Sequence, residues 1–331
     1  MWTTRNSESS VNQFEKIIKE DIVLFNKQFN NVLSTKASTL YSITKYISKS
    51  SGKKIRPICT ILASGLCNNI TEKTYRAAIL IELLHTATLV HDDIVDDAQL
   101  RRGLFSINST WKNKVAVLTG DYFLAKGLDL AVSNQDYDVL SLISETVQKI
   151  VEGELIQIEK TKQLNLTKQD YYEIITFKTA TLFQCAFESG GISALADKIT
   201  LEKLKKLGLI IGIIFQIRDD VLDYSDSISS GKSQGNDIQE GKINLPLLYS
   251  ISNMTIFEKN QVFRILRKKR NSKKEIDLII EIVKKYKGIK KAMNDMQNYH
   301  QQALSILQSF QSNRYKESIM LLLNFLIERN K

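Results

Sequence analysis

The chain has 331 residues, which suits about two average domains or one large helical one. Its hydrophobic fraction of 43% is ordinary for a globular protein and supplies a sizeable core, while 46 Lys and Arg against 36 Asp and Glu leave a net charge of +10. That excess asks for an anionic partner, and nucleic acid, diphosphates and an anionic membrane surface all qualify.

Two prolines, Pro57 and Pro246, are the only ones present, which favours long helices because an interior proline costs a helix about 3 kcal/mol. Cys59, Cys67 and Cys185 show no CxxC spacing and lie in apolar segments. They read as free thiols in a reducing, cytoplasmic setting rather than as disulfides or zinc ligands. Met1 to Ser10 is polar with no apolar run behind it, so no leader is expected. The longest apolar stretch, Leu207 to Ile217, is about half of what a bilayer crossing needs, so the protein reads as soluble.

In chain order, apolar residues recur at three- and four-residue intervals over 11–31, 36–49, 54–68, 71–97, 114–133, 136–160, 168–188, 190–195, 200–224, 242–252, 255–268, 274–286, 288–310 and 314–329. Alternating strand patterns are nearly absent. Thr71, Thr167 and Thr200 stand at helix starts. Loops are expected at 48–54, 98–109 and 225–241, the last rich in Ser, Gly, Asp and Lys. No linker divides the chain, so residues 1–331 read as one all-α domain. The basic residues Arg264, Arg267, Lys268, Lys269, Arg270 and 284–291 lack interleaved aromatics, so they read as a solvated helix face rather than a nucleic-acid platform.

Asp92, Asp93 and Asp96 share one spacing with Asp219, Asp220 and Asp223. On a helix, residues at i, i+1 and i+4 crowd toward one face, and like charges there repel. Both clusters adjoin apolar runs, so a counter-charge is required. Hard divalent cations with oxygen ligands supply one, and Mg²⁺ held this way shares its shell with substrate phosphate. Basic groups stand near the acids in sequence: Lys53 and Arg56 after a glycine, Arg101 and Arg102 past the first cluster, Lys178, and Lys232 past the second. Arginine's fork and lysine's mobile charge both suit phosphate oxygens. The set describes a pocket for two diphosphates, with acid clusters at one end of a helical domain.

These runs resemble the motifs of trans-isoprenyl diphosphate synthases, the polyprenyl synthetase family, and most of all its long-chain octaprenyl, heptaprenyl and solanesyl members. The resemblance rests on His85 to Asp97 with Arg101-Arg102-Gly103, on Phe215 to Asp223, on Gly52-Lys53-Lys54-Ile55-Arg56-Pro57, on Lys178-Thr179 and on Gly231 to Asp237, covering about residues 50–250. It implies a single-domain isoprenoid-synthase-type helical bundle around a central cavity. It implies that Asp92, Asp93, Asp96, Asp219, Asp220 and Asp223 bind about three Mg²⁺ ions with an allylic diphosphate, which Arg101, Lys178, Lys232 and Lys242 contact. Lys53, Arg56, His85 and Arg102 would hold isopentenyl diphosphate, and Lys178, Thr179 and Gln216 would serve the reacting carbons. A homodimer with no nucleic acid is implied, with membrane contact by the basic C-terminal region left open. Ser51, Asn236 and Asn244 depart from the family's usual glycine, basic residue and Thr or Ser.

Product length is read from the helix beneath the acids, where each turn of about 5.4 Å matches one isoprenoid unit. Ala87 and Thr88, with Leu84 a turn deeper, leave the floor open where short-chain members carry aromatics. A long product of about six to nine units, for a quinone side chain, is therefore expected. The alternatives are a farnesyl or geranylgeranyl diphosphate synthase and a subunit of a heteromeric synthase; a non-catalytic subunit should have lost acids, and this chain keeps all six.

Overall fold

Scarce proline and capped starts produce helix after helix. The computed structural model describes residues 13–50, 52–101, 104–225, 234–268 and 270–328, excluding the side chains of 48–50 and 161–163. In chain order the elements are α1 (Lys19–Val32), α2 (Ser38–Ser50), α3 (Ile55–Leu66), α4 (Glu72–Val95), β1 (Leu100–Arg101), β2 (Leu104–Phe105), α5 (Ile107–Ser133), α6 (Tyr137–Gln163) and α7 (Lys168–Ile175). A π turn (Thr176–Ala180) leads into α8 (Thr181–Ser193), followed by α9 (Lys198–Leu222), α10 (Asn236–Gln239), α11 (Leu245–Ile251), α12 (Ile256–Leu266), α13 (Lys273–Lys285), α14 (Gly288–Gln308) and α15 (Arg314–Glu328).

Helix α4 is central because it is apolar on more than one face. Ala77, Ile81 and Leu84 enter the main core with Leu62, Phe183, Ile210 and Ile214. Ile79, Leu83 and Ala87 face a second cluster with Phe25 and Phe29 of α1 and Phe123 of α5. Helix α9 packs on α8, α14 and the π turn, so both acid-bearing helices run through the middle of the bundle.

Local capping follows polar chemistry with one change from expectation. Thr71 and Thr167 cap α4 and α7 in reciprocal boxes with Thr74 and Asp170. At α9 the cap is Asp197, which accepts from the Thr200 amide at 2.7 Å. Thr200 is therefore inside the helix, not at its head. The segment expected as a loop over 98–109 is partly ordered: β1 and β2 pair antiparallel, and Ser106 caps α5. Left-handed Lys112 (φ 70°) then kinks α5, so the regular periodicity starts only afterwards. The helices expected over 168–188 and 190–195 form one continuous run through the π turn to Ser193. Arg264, Arg267, Lys268 and Arg270 are exposed as expected, and Lys269 lies outside the described residues. Among the described residues no helix is long and apolar enough to cross a membrane. Cys59 and Cys185 are buried free thiols, and Cys67 is half-buried.

Candidate active site

Each acid cluster closes a long helix, α4 or α9, and Lys178 of the π turn and Lys242 ahead of α11 stand beside them. Lys178 lies close enough to Asp92 to act on its charge, and Lys242 feels both Asp96 and Asp237. The two walls thus share one end of the bundle. Burial works against the Lys242 charge, yet Glu240, Asp96 and Asp237 hold its pKa up at about 12.

The π turn explains how neighbouring residues serve different walls. Lys178 reaches α6, donating to Gln157 Oε1 at 2.8 Å and pairing with Glu154 at 2.5 Å. Thr179 reaches α9, donating from Oγ1 to Gln216 Oε1 at 2.7 Å. The turn sits between two glycines: a Cβ on Gly153 would meet Phe177 Cβ at 2.6 Å, and one on Gly212 would meet Ala180 Cα at 2.5 Å. Such widened turns recur at functional sites because they redirect side chains without ending a helix.

Within each cluster the acids divide. Asp93 is buried and receives Arg101 Nε on both oxygens at 2.7 and 2.8 Å. The β1–β2 hairpin presents that arginine, and Tyr46 holds the hairpin by donating to the Phe105 carbonyl at 2.7 Å. Asp220 is also buried, accepting from Tyr171 Oη (2.7 Å), Gln216 Nε2 (2.9 Å) and the Leu245 amide (3.0 Å). Asp92, Asp219 and Asp223 are half-buried, and Asp96 is exposed. Burial pushes the Asp92 carboxyl up to about 6; Lys178 opposes this, Glu154 adds to it, and Arg101 again opposes it.

The second wall carries a fourth acid, which the motif Gly231 to Asp237 contains but to which the sequence reading gave no role. Asp237 on α10 sits beside Asp223, whose carboxylate accepts the Asn236 and Asp237 amides at 2.9 and 3.3 Å. Burial and then the Asp237 charge push Asp220 and Asp223 above the ordinary carboxylate range, and burial raises Asp237 as well. Asn244 takes over what Thr or Ser would do there. It caps α11 and donates from Nδ2 to Asp237 at 2.8 Å, which a hydroxyl cap would do less readily. Glu154, Gln157 and Tyr171 were missed too. The signal for the first two was an acid and an amide three apart on one face of α6. Tyr171 had none beyond being a tyrosine in an apolar segment.

A pH dependence follows. Acids whose folded pKa lies above the unfolded one cost nothing below the unfolded value, and the cost grows as pH rises through the folded one. In chelator, the melting temperature therefore falls by a few degrees between pH 6 and pH 8, and Asp223→Asn removes much of that slope. Scanning calorimetry at the two pH values measures it; a flat profile refutes the crowding. Asp170, Glu258 and Glu275, all pulled down to about 2, lose their contribution only in acid and leave this window clear.

Of the residues expected to hold isopentenyl diphosphate, Arg56 and His85 are in contact. Arg56 donates to His85 Nε2 at 3.0 Å, and its guanidinium lies 4.8 Å from the Phe183 ring and 5.5 Å from Phe215. Lys53 is exposed, with its ammonium 4.4 Å from the Phe325 ring. Neighbouring Lys54 turns inward to Asn26 Oδ1 (2.8 Å) and has no share in the cleft. His91 contacts Asp121 and the Val117 carbonyl, a packing role on α5. Arg102 and Lys232 lie outside the described residues. Below the acids, Thr88 is half-buried and donates to the His85 carbonyl (2.9 Å), whereas Ala87 and Leu84 are fully packed.

Residues 37–283 match the family described as polyprenyl synthetase. The chain belongs to the polyprenyl synthetase family. It is 32% identical over 314 residues to an all-trans-nonaprenyl-diphosphate synthase (geranyl-diphosphate specific) of Rhodobacter capsulatus, covering 94% of this chain and 96% of that one. It is 32% identical over 319 residues to a geranylgeranyl diphosphate synthase of Saccharolobus solfataricus, covering 92% and 95%. The fold superposes, with a TM-score of 0.92 and 30% identity, on a polyprenyl synthase of Caulobacter crescentus complexed with calcium and isoprenyl diphosphate, covering 97% and 98%. This polyprenyl synthetase is accordingly a prenyltransferase, all-α as expected.

Proposed function

We propose a magnesium-dependent, long-chain all-trans-polyprenyl diphosphate synthase that adds isopentenyl diphosphate head to tail to an allylic diphosphate. The observation that carries this is the convergence of two acid walls and a row of cations on one end of the bundle. The donor set fits magnesium: hard carboxylate oxygens, with burial and then neighbouring acids raising the Asp92 and Asp223 carboxyls, and cations already paired to acids beside them. Among the described residues no three acids converge as a closed metal site. Asp92, Asp96, Asp219 and Asp223 would hold the ions, with Asp93 and Asp220 fixing the walls through Arg101 and Tyr171. Bound there, magnesium supplies Lewis-acid neutralisation of the departing diphosphate.

The protein's own groups do the rest. Arg101, paired with Asp93, and Lys178, paired with Glu154, would turn their remaining N–H donors to phosphate oxygens; Lys242, and Lys232 from the sequence motif, would join them. Arg56, His85 and Lys53, with Arg102, hold isopentenyl diphosphate. The chain Thr179→Gln216→Asp220 fixes the Gln216 amide with oxygen toward Thr179 and nitrogen toward Asp220. Two preorganised dipoles then stand where cationic character develops on the allylic carbon. The C–O bond from that carbon to diphosphate breaks, the double bond of isopentenyl diphosphate attacks the carbon, and the proton then lost passes to the released diphosphate.

Residues 1–331 act as one domain in this reading, in the cytoplasm, where buried free thiols persist. The relatives span long and short products, and the small Thr88 one turn beneath Asp92 supports a long one, of the kind that serves as a quinone side chain. Incubation with Mg²⁺, farnesyl diphosphate and labelled isopentenyl diphosphate should give products of about thirty carbons or more, lost in chelator. No incorporation overturns the reading; products stopping at twenty carbons overturn the long-chain part.

A homodimer is part of the proposal. Leu118 (59% exposed), Leu128 and Val132 on α5 and Val151, Leu155 (57%) and Ile158 on α6 leave an apolar row uncovered, as an interface would. Leu118→Glu with Leu155→Glu should halve the mass measured by light scattering.

A further inference from the structure

Beyond the active site, the most exposed large apolar side chain described is Leu195 (84%), at the tip of the α8–α9 turn, with Ile199 (72%) one turn along. This tip is at the far end of the molecule from the acids. Asn69 donates to the Ala194 carbonyl at 3.0 Å and Thr71 to the Ser193 carbonyl at 3.3 Å, so the start of α4 meets the same turn. From Glu72 to Asp92, and from Ile199 to Asp219, the helices span about 30 Å each. Beside the tip lies a shallow groove lined by Leu66, Cys67, Ala194, Leu195 and Phe310.

Length makes this end relevant. At about one isoprenoid unit per helical turn, the 30 Å of α4 matches some five or six units in length. A product longer than that has apolar carbons beyond the end of the protein. We propose that the Leu195–Ile199 tip seats this end of the bundle on an anionic bilayer, where the emerging hydrocarbon passes into lipid; this rests on the long-chain reading above. Leu195 and Ile199 enter the headgroup region. Lys198 stands between them, and Lys203, Lys205 and Lys206 follow on α9, against two acids, Asp197 and Glu202. Asp197 is occupied as the helix cap, and Glu202 pairs with Lys205 at 4.0 Å. Lys203 lies over the Phe310 ring at the groove's edge, 5.8 Å from its centroid. Each lysine near an anionic surface adds attraction, and two apolar side chains add insertion. Two side chains fall far short of the roughly 800 Å² per partner that a stable protein interface buries, so a lipid surface suits them better than a second copy.

The test is flotation of the full chain with phosphatidylcholine vesicles containing phosphatidylglycerol, which needs no turnover. The unmodified protein should float, and Leu195→Ser with Ile199→Ser should cut the bound fraction about tenfold at unchanged circular dichroism. A second exposed pair, Ile256 and Phe257, stands on α12 with Lys259 beside it and Lys285 paired to Glu258. Its double serine variant should float normally. In multiple-turnover assays the vesicles should accelerate the unmodified protein and leave the Leu195/Ile199 variant unaffected, with single-turnover condensation equal in both. An added tryptophan at Ile199→Trp should shift its emission to the blue on vesicles. Equal flotation of the Leu195/Ile199 variant, loss of flotation in the Ile256/Phe257 variant, or no blue shift overturns the proposal. Flotation through the tip with products of twenty carbons would instead sink the long-chain reading and, with it, hydrocarbon passage.

Discussion

Replacing Asp92 with asparagine lowers kcat for isopentenyl diphosphate incorporation on the order of 10³-fold, about 4 kcal/mol of transition-state stabilisation, while the folded protein becomes more stable at pH 8. The loss follows from removing a hard ligand at the wall that faces Lys178. The stability gain has the opposite origin. Burial, the largest influence, together with Glu154, pushes the Asp92 carboxyl up to about 6 despite Lys178. Its folded pKa exceeds its unfolded one, so ionisation costs the folded state progressively as pH rises through that interval. Each pK unit is about 1.4 kcal/mol, and solvent screening at this half-buried group leaves about 1–2 kcal/mol above pH 7. Asparagine removes the cost. Melting in chelator should therefore rise for Asp92→Asn at pH 8 and match the parent at pH 4. A variant that loses activity by misfolding would melt lower at both, and that result would remove Asp92 from the metal wall.

Such inverted behaviour explains why the acids were legible in the sequence. A fold has no use for crowded carboxylates beside apolar runs, so their spacing stands out from the packing pattern. The helices were legible for the same reason in reverse, since their three- and four-residue periodicity is what the core demands. What the sequence hid depends on geometry between elements. Tyr171 is one of 12 tyrosines, and only the packing of α7 against the π turn, α6 and α11 aims it at Asp220. Asp237 follows a polar stretch that gives no periodicity, and its place beside Asp223 comes from backbone amides at the start of α10. The π turn is invisible to a 3.6-residue pattern. Yet it lets Lys178 and Thr179, adjacent in sequence, reach α6 and α9 respectively. Asn244, a departure from the family pattern, is explained once its side chain is seen both capping α11 and serving Asp237.

Thr88→Phe shortens the product to about twenty carbons or fewer, and Ala87→Phe does not. Both positions belong to the floor beneath the acids in sequence, but the helix separates them. Thr88 is four residues before Asp92 and shares its face, as does Ile81 three turns down; Ala87 is rotated well away. The packing agrees. Thr88 is half-buried with its hydroxyl on the His85 carbonyl, whereas Ala87 is fully buried among Ile79, Leu83 and Phe123. A phenyl ring at Thr88 projects into the route of the growing chain one turn below the metal wall, stopping elongation after the first few additions. A ring at Ala87 must displace Phe123 and its neighbours, costing about 1–3 kcal/mol of overpacking and lowering the melting temperature. Reversed-phase sizing of products from the two variants, beside their melting curves, separates the cases. Full-length product from Thr88→Phe, or short product from a stable Ala87→Phe, would mean that the chain runs down the α5 side of α4 instead.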